Sequence, residues 1–473
     1  MKKLSMIFAF VSFAVFSTYA QYGSVGTTDA RSMGMGNTYT AVSQGVYAIG
    51  INPANLLNDN NFINFSTVLP LPSISLKSGT NFISINDINY FFGGVNGQSR
   101  ELTAADKQRL NSLFANGGLI LGNASVNIFS FELNLGEYLG AFAFSVNDAI
   151  GGNITIPHAL SELVLSGNPL GSSYNFDDTR ASSWWIRDYS LSYARVIPNF
   201  LKNTFDKITA GISVKYVQGF EFIQSEKTSN NFIQTDNNGD ITLSTNYRIQ
   251  SAFSDNFGVQ YSFDSTGNNG GNFSPFPAPA GSGFGIDLGF RASMGKQLNL
   301  ALAITDIGSI TWDKNTALTY STGSYTITDF TNKATQDSIN NLFNGESKSI
   351  SGFTTGLPTA LRLGATYRFN FAESQFPGTL LLAMDINKGF NDLPGNSQKT
   401  RVSIGSEWKP MDWMPYIRSG FSFGGLFGFH WALGLGIDAG LLEFNFSTQD
   451  FQSIAAPNSA KYISFAFDSR WKL

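Results

Sequence analysis

The sequence of 473 residues contains no cysteine and only two histidines, His158 and His430. Without cysteine there is no disulfide framework, no thiol nucleophile and no lipid-modified N-terminal cysteine. The two histidines lie far apart and outside any motif, and the sequence has neither a G-x-S-x-G turn nor metal-spaced histidines. We therefore predict no catalytic residues, no metal site and no cofactor, and we do not expect an enzyme.

Charged residues are also scarce, at 14% of the chain, and the net charge is −4. A mildly acidic chain offers no basic face, so we expect no nucleic-acid partner. Beyond the N-terminal region, no apolar run reaches the roughly 18 residues that a membrane-spanning helix needs. If the chain enters a membrane, it must do so as a closed barrel, which satisfies every backbone hydrogen bond without water.

Glycine and aromatic residues are abundant, with 48 Gly, 43 Phe, 17 Tyr and 7 Trp, and apolar side chains alternate with small or polar ones. Between positions 284 and 291, Phe, Ile, Leu and Phe alternate with Gly, Asp, Gly and Arg. Between positions 429 and 437, five large apolar residues alternate with His, Ala, Gly and Gly. This period of two predicts β-strands with one apolar face, as in a sandwich or a barrel.

The loop lengths favour the barrel over the sandwich. Long connections (87–123, 150–184, 220–281 and 308–357) alternate with tight turns, which places long loops at one rim and short turns at the other. We predict an all-β fold, a transmembrane antiparallel β-barrel of the outer membrane with periplasmic N- and C-termini. It has about fourteen strands, near residues 61–76, 124–135, 137–149, 185–197, 206–219, 282–293, 297–307, 358–371, 378–388, 399–409, 414–424, 427–438, 440–450 and 460–473.

The long loops carry further predicted features. Residues 220–234 and 241–253 form either an extracellular hairpin or two more spanning strands, which would make sixteen. Helices are predicted at 102–114, with Thr103 as the N-cap, and at 333–343, and an extended surface loop at 267–285. Tryptophans are expected at both membrane interfaces: Trp408, Trp413 and Trp471 at the short-turn rim, Trp184 and Trp185 at the other.

The N-terminal region begins with a predicted signal peptide. Lys2 and Lys3 precede an apolar stretch, and a small-residue cleavage site ends at Ala20. An uncleaved anchor is the alternative. The predicted organisation is a signal peptide (1–20), an N-terminal hatch or plug in the barrel lumen (21–60) and the barrel with its long loops (61–473).

The predicted inward faces of the strands carry charges of both signs. Unpaired buried charges are costly, so mixed signs indicate ion pairs that brace the wall and the plug. A selective polar path through the lumen is the alternative. The predicted inward charges are Glu132, Asp188, Lys215, Asp287, Arg291, Arg362, Arg368, Asp385, Arg401, Glu407, Arg418, Asp438, Glu443, Asp468 and Arg470.

The most specific local feature is the block at residues 30–57. It begins with Ala30-Arg31-Ser32-Met33-Gly34-Met35-Gly36, and it contains Asn52-Pro53-Ala54, a helix cap followed by proline at the first helical position. These two elements resemble the N-terminal region of the FadL-like outer-membrane barrels. That superfamily includes long-chain fatty-acid transporters, the PorV-type proteins of the type IX secretion system and an uncharacterised Bacteroidota branch. The resemblance implies a fourteen-stranded barrel with the N-terminal segment in its lumen as a hatch.

By this resemblance, the expected function is passage of a small hydrophobic compound past the hatch. Gly34, Gly36, Asn52, Pro53 and Ala54 are the candidate gating residues. The alternative is a closed barrel that serves as an accessory subunit in protein secretion or surface assembly. The expected partners are outer-membrane lipid and either a hydrophobic small molecule or secretion or surface-assembly proteins.

Overall fold

The computed structural model describes residues 29–57, 64–69, 71–94, 98–201, 203–257, 274–327, 332–371, 377–426 and 428–472. The predicted signal peptide (1–20) therefore lies outside the described residues. The strands are β1 (Asn64–Thr67), β2 (Ser73–Thr80), β3 (Gly118–Asn134), β4 (Ala141–Ile156), β5 (Ser173–Asn175), β6 (Arg180–Ile197), β7 (Lys207–Ser225), β8 (Phe232–Thr235), β9 (Ile241–Phe253), β10 (Gly281–Met294), β11 (Leu298–Trp312), β12 (Ala317–Ile327), β13 (Glu346–Ser349), β14 (Phe353–Gly356), β15 (Ala360–Asn370), β16 (Thr379–Gly389), β17 (Arg401–Lys409), β18 (Tyr416–Gly424), β19 (His430–Asp438), β20 (Leu442–Thr448) and β21 (Tyr462–Lys472).

These strands close a barrel with fourteen positions in its wall, as the sequence predicts. The strands β1 and β2 occupy one position together, and so do β14 and β15. The others are β3, β4, β6, β7, β10, β11 and β16 to β21, each antiparallel to its neighbours. The barrel closes where β21 pairs with β1 and β2, with Lys472 opposite Ser66 and Phe467 opposite Ile74.

The remaining strands form a sheet beyond one rim. The strand β9 pairs with the last residues of β7, with β8 and with β12, while β13 pairs with β12 and β5 with β8. The hairpin predicted at 220–253 therefore belongs to the loops and does not add two strands to the wall. This settles the count at fourteen rather than sixteen.

The two rims differ, and the chain ends of the barrel mark one of them. The first strand begins at Asn64 and the last strand ends at Lys472. Both residues lie at the same rim as the turns after β3, β6, β10, β15, β17 and β19. We call this rim the short-turn end. The opposite rim, the long-loop end, carries the extra sheet and the longer connections.

The barrel is apolar outside and polar inside. In β10, Phe284 is 67% exposed, whereas Asp287, on the opposite face, is fully buried. The same pattern recurs in β19, where Trp431, Leu435 and Ile437 are exposed while His430 is buried. A water-soluble sheet protein buries the opposite face, so this arrangement is typical of a barrel whose outer surface faces lipid.

The described residues also include seven α-helices, and no helix among these residues is long and apolar enough to cross a membrane. Both predicted loop helices are present, at Ala104–Leu113 and Lys333–Asn344. The first begins with a capping box formed by Thr103 and Asp106. A helix that was not predicted, Ile85–Phe92, begins with the same kind of capping box, formed by Ser84 and Asp87. Hydrogen bonds from Tyr90 and Thr103 lower the pKa of the Asp106 carboxyl. The helices are α1 (Ala30–Gly34), α2 (Ile85–Phe92), α3 (Ala104–Leu113), α4 (Gly136–Leu139), α5 (His158–Ser166), α6 (Lys333–Asn344) and α7 (Gln452–Ala455).

Two loop predictions need correction. The predicted loop at 267–285 is too long, because β10 already begins at Gly281; residues 267–273 lie outside the described ranges. Trp184 and Trp185 lie near the long-loop end as predicted, but both are buried and cannot form an outward-facing aromatic girdle there. On β6, Trp184 shares the inward face of Asp188, whereas Trp185 lies on the other face against Phe220 and Phe257, whose ring centroids are 5.1 and 5.6 Å from its own.

Trp184 instead belongs to an apolar cluster inside the long-loop end. Its members include Phe222 and Trp312, whose ring centroids are 5.2 Å apart. Gly219 makes room for this packing, because a Cβ there would lie 2.3 Å from the Trp312 ring. The cluster closes the barrel above its charged interior.

Trp312→Ala is expected to lower the free energy of unfolding by about 3–5 kcal/mol, since it leaves a cavity in this cluster. Denaturant unfolding in micelles measures the loss. Phe343→Ala, which removes an aromatic ring 51% exposed on α6 at the same end, is the control. Equal losses for the two variants would contradict the assignment of Trp312 to a packed core.

Candidate functional site

The candidate site is the N-terminal segment, which we define as residues 29–57, and the wall around it. Asp29 caps α1 by accepting a hydrogen bond from the Arg31 N–H. Asn52 caps a 3₁₀ turn at Pro53–Leu56 by accepting from the Ala54 N–H at 3.1 Å, as the Asn-Pro-Ala pattern predicts. Apart from Arg31, Gln44 and a half-buried Ile49, every residue of the segment is buried. Its surroundings are the inward faces of the barrel strands.

Backbone contacts between the segment and the wall explain the glycines of the block. A Cβ on Gly34 would lie 2.8 Å from the Cα of Gly434, on β19. Gly36 has φ +70°, and a Cβ there would lie 2.8 Å from the backbone nitrogen of Phe421, on β18. Side chains at either position would push the segment off the wall, so the glycines set its depth in the lumen.

Glycines of the wall serve the same purpose around Asn52, Pro53 and Ala54. A Cβ on Gly289 would lie 2.1 Å from the Asn52 Oδ1, and one on Gly211 would lie 2.4 Å from the Ala54 backbone nitrogen. Sequence reasoning missed these partners. Their signal was present, because both glycines occupy inward positions in strands whose outward positions are apolar.

An ion-pair network fixes the first helix of the segment. The Glu407 carboxylate accepts from Arg31 Nη2 at 2.7 Å and Nε at 2.8 Å, and from Arg418 Nε at 2.7 Å. Burial alone would lower the pKa of the Arg31 guanidinium, but Glu407 outweighs it and raises that pKa above its ordinary value. Glu407 thus joins a wall arginine to a segment arginine.

A second connection holds the turn at Tyr39 and Thr40. Asp385 Oδ2 accepts from the Tyr39 N–H at 2.9 Å, the Thr40 N–H at 2.8 Å and the Thr40 hydroxyl at 2.7 Å. On the other side, the Tyr39 hydroxyl accepts from Arg362 Nη1 at 2.5 Å and from Arg401 Nη2 at 2.6 Å. Three charged wall residues therefore bind two adjacent residues of the segment.

A third connection lies at β20 and β21. Asp468 accepts from the Ala30 N–H at 2.7 Å and from the Tyr47 hydroxyl at 2.8 Å. Burial, together with Asp468, raises the pKa of the Tyr47 hydroxyl. Next to it, the Glu443 carboxylate accepts from Arg470 at 2.6 Å. The segment is thus bound along most of its length.

The other predicted inward charges lie elsewhere in the lumen. Asp287 pairs with Lys215 at 2.9 Å within the wall. Arg291 is buried and donates to the Asn299 Oδ1 at 3.0 Å. Arg368 is exposed and lines a cavity of about 990 Å³ at the short-turn end, beneath Gln44 of the segment. Asp287 therefore lies on the long-loop side of the contact between Gly289 and Asn52, and Arg291 and Arg368 lie on its short-turn side.

Comparison with protein families finds a match over residues 53–448 to a family described as "Family of unknown function (DUF5723)". The chain belongs to this family. The match begins at Pro53, so most of the N-terminal segment of this DUF5723 protein precedes it. A search of curated proteins finds no match.

Among solved structures, the DUF5723 protein is similar to several barrels at low identity. The toluene transporter TodX of Pseudomonas putida is 12% identical, with 96% of this chain and 99% of that chain covered and a TM-score of 0.43. A FadL homologue of Pseudomonas aeruginosa has the same identity and coverage and a TM-score of 0.42. The translocator domain of the autotransporter NalP from Neisseria meningitidis is 6% identical, with 88% and 90% covered and a TM-score of 0.35.

Proposed function

We propose that this DUF5723 protein is an outer-membrane barrel, with both ends of its wall at the periplasmic rim, that passes a small hydrophobic compound past its N-terminal segment. The observation that supports the proposal is the way in which the N-terminal segment, which fills the lumen, is attached to the wall. In the described residues, the segment has no strand paired with the wall, and its attachments are side-chain bonds and glycine contacts. Such attachments can break without opening the barrel.

The location in a membrane is supported by the outward apolar face. Large apolar side chains are exposed on β10, β16, β17, β18 and β19, and the inward positions between them are mostly buried and small or polar. Exposed apolar area on this scale would drive association in water, whereas lipid covers it.

The proposed route runs from the long loops to the short-turn end. The apolar cluster around Trp184 and Trp312 is packed and closes the long-loop end, so entry of the compound requires its side chains to separate, and the apolar surface that this exposes suits an apolar ligand. The compound then passes as the segment around Gly34, Gly36 and residues 52–54 shifts away from the wall glycines. The shift requires the bonds to Glu407 and Asp385 to break.

A designed disulfide tests the movement, and the absence of cysteine in the chain leaves no competing thiol. Ala30 and Ala466 lie in one buried cluster, with Ala30 on the segment and Ala466 on β21. In cells expressing Ala30→Cys with Ala466→Cys, entry of the hydrophobic dye phenylnaphthylamine through the outer membrane should stop on oxidation and return on reduction. The single variant Ala466→Cys is the control and should be insensitive to oxidant.

Unchanged dye entry with the disulfide formed would contradict passage past a moving segment. Recovery of the folded chain from the aqueous fraction without detergent would contradict the membrane location itself.

The second candidate function is a closed accessory barrel in protein secretion or surface assembly. The specific observation in its favour is that the segment is held by a buried ion pair, Arg31 with Glu407, inside a wall that is itself braced by the pairs Arg418–Glu407 and Arg470–Glu443. Native mass spectrometry of protein extracted from its own membrane separates the two functions. Bound lipid or another apolar molecule supports passage, and a stoichiometric protein supports the accessory function.

A further inference from the structure

A cavity of about 340 Å³ lies at the long-loop end, where the chain enters the last wall strand. Its volume is at the lower end of the range for small-molecule sites. Buried side chains, among them Asp450 and Tyr462, form its inner part, and exposed ones, among them Asn81, Phe429 and Lys461, form its mouth. The cavity is separate from the N-terminal segment, since none of residues 29–57 lines it.

Amide and hydroxyl side chains line much of this cavity. Asn81 and Gln452 contribute the amides, and Ser453 and Ser459 contribute hydroxyls. Among the described residues, the Gln452 amide makes no hydrogen bond and the Asn81 Nδ2 donates none, although the Asn81 Oδ1 accepts from the Leu119 N–H at 2.8 Å. Amides and hydroxyls both donate and accept hydrogen bonds, as the hydroxyls of a sugar do. The lining therefore matches the hydrogen-bonding groups of a sugar.

The charges of the lining balance each other. Among the described residues that line the cavity, Lys461 is the one cation and Asp450 the one anion. Asp450 is 2% exposed; its Oδ1 pairs with His430 Nδ1, whereas its Oδ2 accepts no hydrogen bond from the described residues and lies 3.8 Å from Lys77 Nζ. A buried carboxylate oxygen of this kind needs a donor, which a ligand hydroxyl supplies. A neutral, hydroxyl-rich group suits this lining better than a free ion does.

The mouth of the cavity continues into the outward apolar surface through Phe429. The Phe429 ring lines the cavity, and its centroid is 5.3 Å from that of Phe423 and 6.1 Å from that of Phe421. All three side chains face outwards and are between 40% and 50% exposed. A ligand that fills the cavity and also covers these rings has a hydroxylated head and an apolar tail.

We infer that this cavity binds the sugar headgroup of a glycolipid in the outer leaflet, with the acyl chains of the lipid against these three rings. Asn81 and Gln452 donate to the sugar hydroxyls, and Asp450 accepts from one of them. The inference rests on the location in an outer membrane proposed above, which puts the long-loop end in the outer leaflet. It does not depend on passage of a compound past the N-terminal segment.

Native mass spectrometry of barrels released from phosphatidylcholine nanodiscs tests the site. The discs also carry equal minor amounts of diacylglycerol and of either glucosyl or galactosyl diacylglycerol, so that the compared lipids differ only in the sugar. At least one glycolipid should stay bound as a single copy in preference to diacylglycerol. Gln452→Leu should reduce that retention at least about threefold, since it removes hydrogen bonds to the sugar and nearly keeps the side-chain volume. Phe429→Ala should also reduce it, because the lipid loses an aromatic contact.

Each variant has a matched control. Gln108→Leu replaces an exposed glutamine of α3 at the same end, which does not line the cavity. Phe290→Ala removes an outward-facing ring on β10 that is 46% exposed, against 50% for Phe429. Neither control should change the retention of the glycolipid.

Three results would overturn the proposal: equal retention of diacylglycerol and both glycolipids, an equal loss in the control variants, or displacement of the glycolipid by equimolar free methyl glucoside. The last would show that the sugar alone is the ligand. Barrels that fail to enter nanodiscs at all would instead contradict the membrane location on which the inference rests.

Discussion

Glu407→Ala should lower the free energy of unfolding of the barrel by about 3–5 kcal/mol, because removal of one partner from a buried ion pair leaves uncompensated charge. Here the charge belongs to two arginines, Arg31 and Arg418, both bonded to the same carboxylate. Arg418 lies on the wall and is almost fully buried, which leaves its guanidinium with little access to water. Denaturant titration followed by tryptophan fluorescence measures the change.

Glu137→Ala is the matched control. Glu137 also pairs with a basic side chain, Lys207, at 2.6 Å, but it lies on a turn and its side chain is 46% exposed, against 8% for Glu407. Exposed pairs contribute about 0–1 kcal/mol, so the control should change stability little. Similar losses of unfolding free energy in the two variants would show that the ion pairs of Glu407 are as accessible to water as the pair of Glu137 with Lys207.

The architecture of this barrel was accessible from the sequence because its outward faces alternate with period two. In β10, each outward residue from Phe284 to Met294 is apolar and each inward one is Gly, Ser or charged, which fixes both the strand and its orientation. The wall strands β3, β4, β6 and β7 extend further towards the long loops than predicted. Residues there, such as the run from Gly151 to Asn153, are small or polar on both faces and carry no alternation.

The site was accessible only in part. The motifs identified the residues of the segment, since glycines and an Asn-Pro cap have local meaning. Their partners could not be identified, because Asp385 and Glu407 lie more than 300 residues away in the chain and meet the segment only after the barrel closes. The mixed charges predicted that pairing occurs, but nothing in the alternation specifies which charges pair.

The orientation of Trp184 and Trp185 shows a different limit of prediction from strand alternation. The partner of Trp185 is Glu221 and that of Ile186 is Gly219, so Phe220 is an extra residue on β7. Such a bulge leaves one residue unpaired and changes the direction of its neighbours. A period of two cannot reveal this extra residue, and the Phe220 ring, 5.1 Å from the ring of Trp185, helps to bury a side chain that alternation alone would place outward. Trp184 needs no bulge, because alternation from Asp188 already places it inward; the error there was to treat a tryptophan near the rim as outward-facing.

Asp385→Ala should release the N-terminal segment while the barrel stays folded. The Tyr39 and Thr40 N–H groups would lose their acceptor inside the lumen, and each unsatisfied buried donor costs about 1–3 kcal/mol. The strand pairs of β16 with β15 and β17 use backbone groups and remain intact. The loss therefore falls on the attachment of the segment rather than on the wall.

Two measurements report this release. Amide hydrogen exchange should accelerate across residues 35–45, and the ion conductance of the barrel in a planar bilayer should increase. Asp148→Ala is the control, since Asp148 is also a buried wall aspartate with an arginine partner, Arg187, but lies near the long-loop end. It should destabilise the barrel without accelerating exchange in the segment. If the segment exchanges at the same rate in Asp385→Ala as in the unmodified protein, the carboxylate of Asp385 does not hold it in the lumen.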